Sequence, residues 1–202
     1  MEKILEALRN HKPGILGGNH FLKYAVLVPL IEIEGETHVL FEVRAHNLRR
    51  QPGEICFPGG KIDVEDENEK CAAIRETSEE LGLSEDHIKN VYPLDYLVTP
   101  YGTIIYPFAG TISDMNDISV NPDEVEEIFT VPISHFQKVQ PKCYKVDFQA
   151  KPEKGFPFHL IVGGENYNWR TRQVYELFYC YEDKVIWGLT AKILHHFMEL
   201  IR

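Results

Sequence analysis

Glu76, Glu79 and Glu80 lie three, four and one residues apart. On a helix turning about 100° per residue, positions three and four apart share a face. The spacing therefore gathers three carboxylates on one side. Like charges placed so repel one another on a bare helix. They are best tolerated around a positive charge, and a hard divalent cation with oxygen ligands is the natural one. The competing reading is a solvated acidic face, the usual fate of a charge run. Two neighbouring features favour the cation. The turn Pro58-Gly59-Gly60 lets the backbone bend sharply and bring a carbonyl close to a ligand. Arg75 stands beside the carboxylates, where a guanidinium can orient one of them bidentately. A second acidic group, Asp63, Glu65, Asp66 and Glu67, precedes the first.

The surrounding sequence supplies elements to hold these residues. The glutamates need a helix from about residue 67 to 81, with Cys71, Ile74, Ser78 and Leu81 as its buried seam and Gly82 as its stop. Upstream, the Val, Leu and Ile run over 23–33 predicts a buried strand, returning through a turn at 34–36 as a second strand over 37–44. A polar, basic loop spans 45–54 and a short strand 55–57. Downstream, Ser84 is placed to cap a helical turn. Strands are expected at 91–99 and 103–113 around the turn Pro100-Tyr101-Gly102. An acidic loop over 121–127 precedes a strand at 128–131 and a short helix at 133–139. Segments 144–148 and 174–181 predict an added hairpin or meander. A last helix runs to residue 201 with Ile193, Leu194, Phe197 and Leu200 as its stripe, Trp187 packing beneath it, and His195-His196 as a surface pair. Residues 1–11 predict a short helix bearing Ile4, Leu5 and Leu8. No repeat or linker appears, so 202 residues predict a single domain, 1–202.

Composition narrows the function classes. Apolar residues make up 44%, as in globular proteins, and no apolar run reaches the roughly 18 residues of a membrane span. The formal net charge of −10 disfavours nucleic-acid binding, which needs a basic footprint. It does not exclude an anionic substrate, because metal and arginines can reverse the field in one cleft. Cys56, Cys71, Cys143 and Cys180 lack paired metal spacing, and the nine histidines form no ligand pattern. Neither end reads as a signal peptide or sorting signal. The expectation is a cytoplasmic protein with reduced thiols and no membrane partner.

Gly60, the acids after it, and Arg75-Glu76-x-x-Glu79-Glu80-x-Gly82-Leu83 together resemble the Nudix box, G-x5-E-x7-R-E-U-x-E-E-x-G-U with U aliphatic. Thr77 departs from the aliphatic position, and the spacing from Gly60 to Arg75 is one residue longer. Asp66 or Glu67 holds the early acidic position. Upstream, Leu40-Phe41-Glu42-Val43-Arg44-Ala45, Arg49, Gly53 and Phe57-Pro58-Gly59-Gly60 are similar to the motif of the coenzyme A pyrophosphatase branch, L-L-T-x-R-S/A-x3-R-x3-G-x3-F-P-G-G. Phe41 and Glu42 depart from it. That branch also carries the longer box, with an acid at the position of Asp66.

The resemblance implies an α+β Nudix fold, a mixed β-sheet sandwiched between helices. It implies Mg²⁺ or Mn²⁺ on Glu76, Glu80, Glu79 and the Gly59 carbonyl. Glu79 and Glu124 are the catalytic candidates, with Glu126 and Glu127 as rivals of Glu124. Gly60, Arg75 and Asp66 shape the box, and Arg44, Arg49 and Arg50 are candidates for substrate phosphates, since Arg suits bidentate phosphate recognition. The implied reaction splits coenzyme A into 3′,5′-ADP and 4′-phosphopantetheine, in a monomer or homodimer. ADP-ribose or NADH hydrolysis is the alternative. A non-catalytic nucleotide sensor is a third reading, against which the three intact glutamates speak.

Overall fold

A computed structural model describes residues 1–113 and 115–202. In chain order the elements are α1 (Glu2–Arg9), β1 (Leu22–Ile33), β2 (Glu36–Arg44), β3 (Ile55–Cys56), β4 (Gly59–Lys61) and α2 (Glu69–Leu81). They continue with β5 (Ile88–Pro93), β6 (Leu97–Thr99), β7 (Thr103–Ile112), β8 (Val125–Pro132), α3 (Ile133–Lys138), β9 (Lys142–Phe148), β10 (Arg172–Tyr181), β11 (Lys184–Trp187) and α4 (Gly188–Leu200). Among the described residues no helix is long and apolar enough to cross a membrane.

β1 is the axis of the main sheet. It runs parallel to β7 and antiparallel to β2 and β4. β2 carries β3 and β8, and β7 carries β5 and β6, giving a mixed eight-stranded sheet. Both faces of β1 are covered, so it reads as an almost continuous apolar run. Ala25, Leu27 and Ile31 join the core beneath α2. Tyr24, Val26, Val28 and Leu30 turn to the other side, where Phe41, Phe57, Phe136 and the apolar residues of α4 meet. The two-residue alternation of a strand thus assigns side chains to two cores. The expected α+β sandwich is what forms.

The added segment is a separate antiparallel sheet in the order β11-β10-β9. Its Tyr179 and Ile186 enter the α4 core, and the first turn of α4, which follows β11, is tied to β3 by the Thr190 hydroxyl donating to the Ile55 carbonyl at 3.2 Å.

Several expectations are corrected. α2 begins two residues late because Asn68, not Glu67, marks its start: the Asn68 carboxamide accepts from Cys71 N–H at 3.0 Å. Such a cap is worth about 1 kcal/mol. Its buried face is Ala72, Ala73, Thr77, Glu80 and Leu81, whereas Cys71, Ile74 and Ser78 are only half-buried. Two alanines let the helix sit close on the sheet, and the Thr77 hydroxyl satisfies itself on the Ala73 carbonyl at 2.7 Å. The expected strand over 91–99 is two strands, β5 and β6. β8 starts earlier than expected, at Val125, which is buried. On α4 the stripe is Ala191, Ile193, Leu194, Phe197 and Met198, and Leu200, in the last turn, is exposed. Trp187 is 43% exposed and stacks on Phe178 at 5.7 Å instead of lying under α4. His195 and His196 are half-buried, His195 against the Tyr179 hydroxyl (2.8 Å) and His196 accepting from Asp95 N–H (3.3 Å). On α1, Ile4, Leu5 and Leu8 are exposed.

Candidate active site

The box closes on itself through backbone geometry. Gly59 has φ 146°, and a Cβ there would lie 2.3 Å from the Ala25 carbonyl oxygen. Only glycine lets this strand press against β1. A Cβ on Gly60 would fall 2.1 Å from Glu76 Oε2, so the bare glycine leaves room for that carboxylate. Phe57 anchors the turn by stacking on Phe41 at 5.0 Å, and the Pro58 carbonyl accepts from Leu27 N–H at 2.9 Å. The loop after β2 is closed by Gly53, whose N–H donates to the Arg44 carbonyl at 3.0 Å with φ 71°.

Arg75 is the hub of the box loop. Its Nε and Nη2 donate to the two oxygens of Asp66, both at 2.9 Å, and Nη1 lies 2.9 Å from Glu76 Oε1. Asp66, not Glu67, therefore occupies the early acidic position. The Arg75 fork holds the Asp66 carboxyl below its ordinary range.

The three glutamates do not share one environment. Adjacent residues on a helix are about 100° apart, so Glu79 and Glu80 cannot both face inward. Glu80 is 5% exposed and accepts from Gly59 N–H at 2.7 Å. Glu76 is half-buried at the cleft edge. Glu79 is exposed beside Arg75, 3.4 Å from its Nη1, and lies outside the cleft wall.

The cleft has a volume of about 920 Å³. Its polar lining includes Glu76, Glu80, Glu124, Arg44 and Arg50, with Gly59 and Gly60 of the box turn in the same wall. The last turn of α2 is laced to the loop before β8: Ser119 N–H donates to Leu81 and Asn121 N–H to Glu80, each at 2.9 Å. Those bonds satisfy orphan carbonyls of the helix end. The Glu124 carbonyl in turn accepts from Ala45 N–H at 2.8 Å. This brings Glu124 to the cleft, while Glu127 is held by Lys184 and Glu126 is exposed outside it. Arg49 is exposed and does not line the cleft.

Sequence reasoning passed over Glu42 as a departure from a motif. It shares the face of β2 with Leu40, under the box, and is 1% exposed. The Cys56 thiol donates to its Oε1 at 3.1 Å, and its Oε2 has no hydrogen-bond partner among the described residues. Burial pushes the Glu42 carboxyl up to about 7, with Cys56 and Arg44 pulling it back and Glu124 adding to the rise. Glu80 is pushed up to about 9, by burial and then by repulsion from Glu42. Burial also raises Glu76. The signal available was a charged residue in an otherwise apolar strand, Val39 to Val43.

A Nudix-domain family profile matches residues 22–148. The chain belongs to the Nudix hydrolase family. It is 38% identical over 139 residues to the peroxisomal coenzyme A diphosphatase NUDT7 of Mus musculus, a match covering 69% of this chain and 58% of that protein. It is 31% identical over 182 residues to the mitochondrial coenzyme A diphosphatase NUDT8 of Homo sapiens, covering 88% of this chain and 68% of that one. Among solved structures, a MutT/nudix family protein from Enterococcus faecalis superimposes with a TM-score of 0.54 at 14% identity, covering 99% of this chain and 68% of that one.

The family implies a divalent cation. Among the described residues no three His, Cys, Asp or Glu side chains are already gathered as a cation shell. Glu76 and Glu79 lean on Arg75, and Glu80 on Gly59. The donor set nevertheless fits such an ion. Burial and repulsion from neighbouring carboxylates raise the proton affinity of Glu42, Glu76 and Glu80, and Glu42 Oε2 is buried without a donor among the described residues. A cluster of oxygen ligands short of positive charge is what a hard divalent cation satisfies.

Proposed function

We propose that the chain hydrolyses the diphosphate bond of coenzyme A, releasing 3′,5′-ADP and 4′-phosphopantetheine. The observation that carries this reading is the meeting, in one cleft, of the box carboxylates Glu76 and Glu80 with Gly59, Gly60 and Arg44 of the upstream motif. Two relatives named as coenzyme A diphosphatases support the substrate. Glu76, Glu80 and the Gly59 carbonyl would hold Mg²⁺ or Mn²⁺. When bound, the metal neutralises diphosphate oxygens and lowers the pKa of water. Glu124, exposed on the cleft wall, takes the proton of the attacking water. Glu79 joins the carboxylates only by releasing Arg75, so its part is the smaller of the two catalytic candidates. Arg44 and Arg50 orient phosphates from the rim. Arg44 is suited to this, because its Nε is buried and donates to nothing among the described residues.

In this reading residues 1–202 act as one domain, as a monomer or homodimer, on a small nucleotide and without nucleic-acid or membrane partners. The shared core of β1, β2, β10, β11 and α4 supports the single domain. The four free thiols support a reducing compartment such as the cytoplasm. The test is turnover of coenzyme A with Mg²⁺ or Mn²⁺ by wild type and Glu80→Gln. Wild type should cleave it, and Glu80→Gln should lose several orders of magnitude while staying folded. Wild-type turnover in Glu80→Gln would remove the cation assignment, and a wild type inert on all nucleotide diphosphates would favour the sensor reading.

A further inference from the structure

Much of the cleft wall is built by residues beyond the segment that the family profile covers. On β10, successive side chains alternate: Leu177 and Tyr179 pack into the α4 core, and Val174 and Glu176 line the cleft. Trp187, Leu189 and Phe148 add apolar wall, and the Phe148 ring meets that of Tyr101, also in the wall, at 5.7 Å. Within this apolar surface stands one ion pair. Lys192 Nζ lies 2.8 Å from Glu176 Oε1, with both side chains mostly buried. Glu176 Oε2 is buried and accepts no hydrogen bond among the described residues. A buried carboxylate oxygen left without a donor is costly, and such an atom in a cleft wall points to a donor supplied from outside. Rotation about the terminal torsion of Glu, which is soft, suffices to present it.

We infer that the Glu176–Lys192 pair is a binding subsite for the amide and hydroxyl groups of an uncharged, amide-containing arm, which on the coenzyme A reading is pantetheine. The chemistry of the cleft wall sorts the substrate. Arg44 and Arg50 line the same cleft as the box carboxylates and are the side chains expected to meet phosphates. The charge of Lys192 is already matched by Glu176, so the pair offers little to a phosphate. It offers the free oxygen Oε2 next to an ammonium that is bonded to Oε1 at 2.8 Å, with apolar side chains in the same wall. An amide presents N–H and C=O as neighbours, and the arm alternates amides with apolar carbons. An amide N–H donated to a carboxylate is charge-assisted and satisfies the orphan oxygen.

The test is calorimetric binding of 4′-phosphopantetheine and of 3′,5′-ADP, each with Mg²⁺, to wild type and Glu176→Gln. Gln keeps the shape. With its carbonyl oxygen held by Lys192, its NH₂ occupies the place of Oε2, a donor facing donors. The expected result is a Kd for 4′-phosphopantetheine about tenfold weaker, the loss expected for one charge-assisted hydrogen bond. The Kd for 3′,5′-ADP should move less than twofold, which also shows that the variant is folded. Equal 4′-phosphopantetheine affinity in the two proteins would overturn the inference. So would equal weakening of both ligands, which would assign the pair to the adenosine half or to structure alone. Wild-type coenzyme A hydrolysis, assayed alongside, reports separately on the reading beneath it. Turnover with no Glu176→Gln effect sinks only the subsite, whereas absence of turnover sinks the substrate.

Discussion

Glu80→Gln should stabilise the metal-free protein at alkaline pH, even as it abolishes activity. Glu80 is 5% exposed, and its carboxyl is pushed up to about 9 by burial and by Glu42. In an unfolded chain a glutamate titrates near roughly 4.3. The folded state therefore holds a proton that the unfolded state has released throughout that window. Its contribution to stability is complete below about 4.3 and is lost as pH rises toward 9. One pH unit is about 1.4 kcal/mol, so between pH 5 and 8 the loss reaches up to about 4 kcal/mol. Gln has no proton to lose and keeps an oxygen for the Gly59 N–H. Melting temperatures in chelator from pH 5 to 8 should start close together and then diverge. For a chain of this size the divergence is on the order of 10 °C in favour of Glu80→Gln at pH 8. Added Mg²⁺ should raise the wild type more at pH 8 than at pH 6. Parallel melting curves for the two proteins across this range would refute the claim that burial holds a proton on Glu80 in the metal-free fold.

The two glycines should separate activity from stability. Gly60→Ala puts a carbon 2.1 Å from Glu76 Oε2, at the end of a flexible side chain, so coenzyme A turnover should fall at least tenfold with Tm nearly unchanged. Gly59→Ala meets the Ala25 carbonyl at 2.3 Å with φ 146°, and Tm should fall by an amount equivalent to about 2–4 kcal/mol; equal melting of both variants would contradict this. The 3′-phosphate of coenzyme A should be read by Arg50, which lines the cleft, more than by Arg49, which does not. With roughly 1.5–3 kcal/mol per contact, Arg50→Ala should lose one to two orders in the kcat/KM ratio of coenzyme A to dephospho-coenzyme A, and an undiminished ratio would count against it.

The most legible parts of this protein were those that local geometry fixes. The order of strands around one helix, the Gly59-Gly60 turn and the Arg75 hub follow from residue types at short spacing, where backbone constraints leave few choices. The glutamates were legible as a group but not in their separate orientations. Which of them turns inward depends on how α2 rolls onto β1, and the alanines at 72 and 73 set that roll. Glu42 was hidden because a carboxylate in an apolar strand looks like a mismatch until the partner across the core is known. Trp187 illustrates the same limit. The run Val185-Ile186-Trp187 fits a core strand, but alternation buries only Ile186 and leaves the indole on the cleft side. The face that β10 gives to the cleft is likewise decided by tertiary packing, because both of its faces carry apolar residues.

The most direct measurement is kcat/KM for coenzyme A, ADP-ribose and NADH with Mn²⁺ or Mg²⁺, with the products identified by mass. The predicted result is the highest value for coenzyme A, with 3′,5′-ADP and 4′-phosphopantetheine as products and no turnover in chelator. A higher value for ADP-ribose or NADH, or turnover that survives chelation, would contradict it.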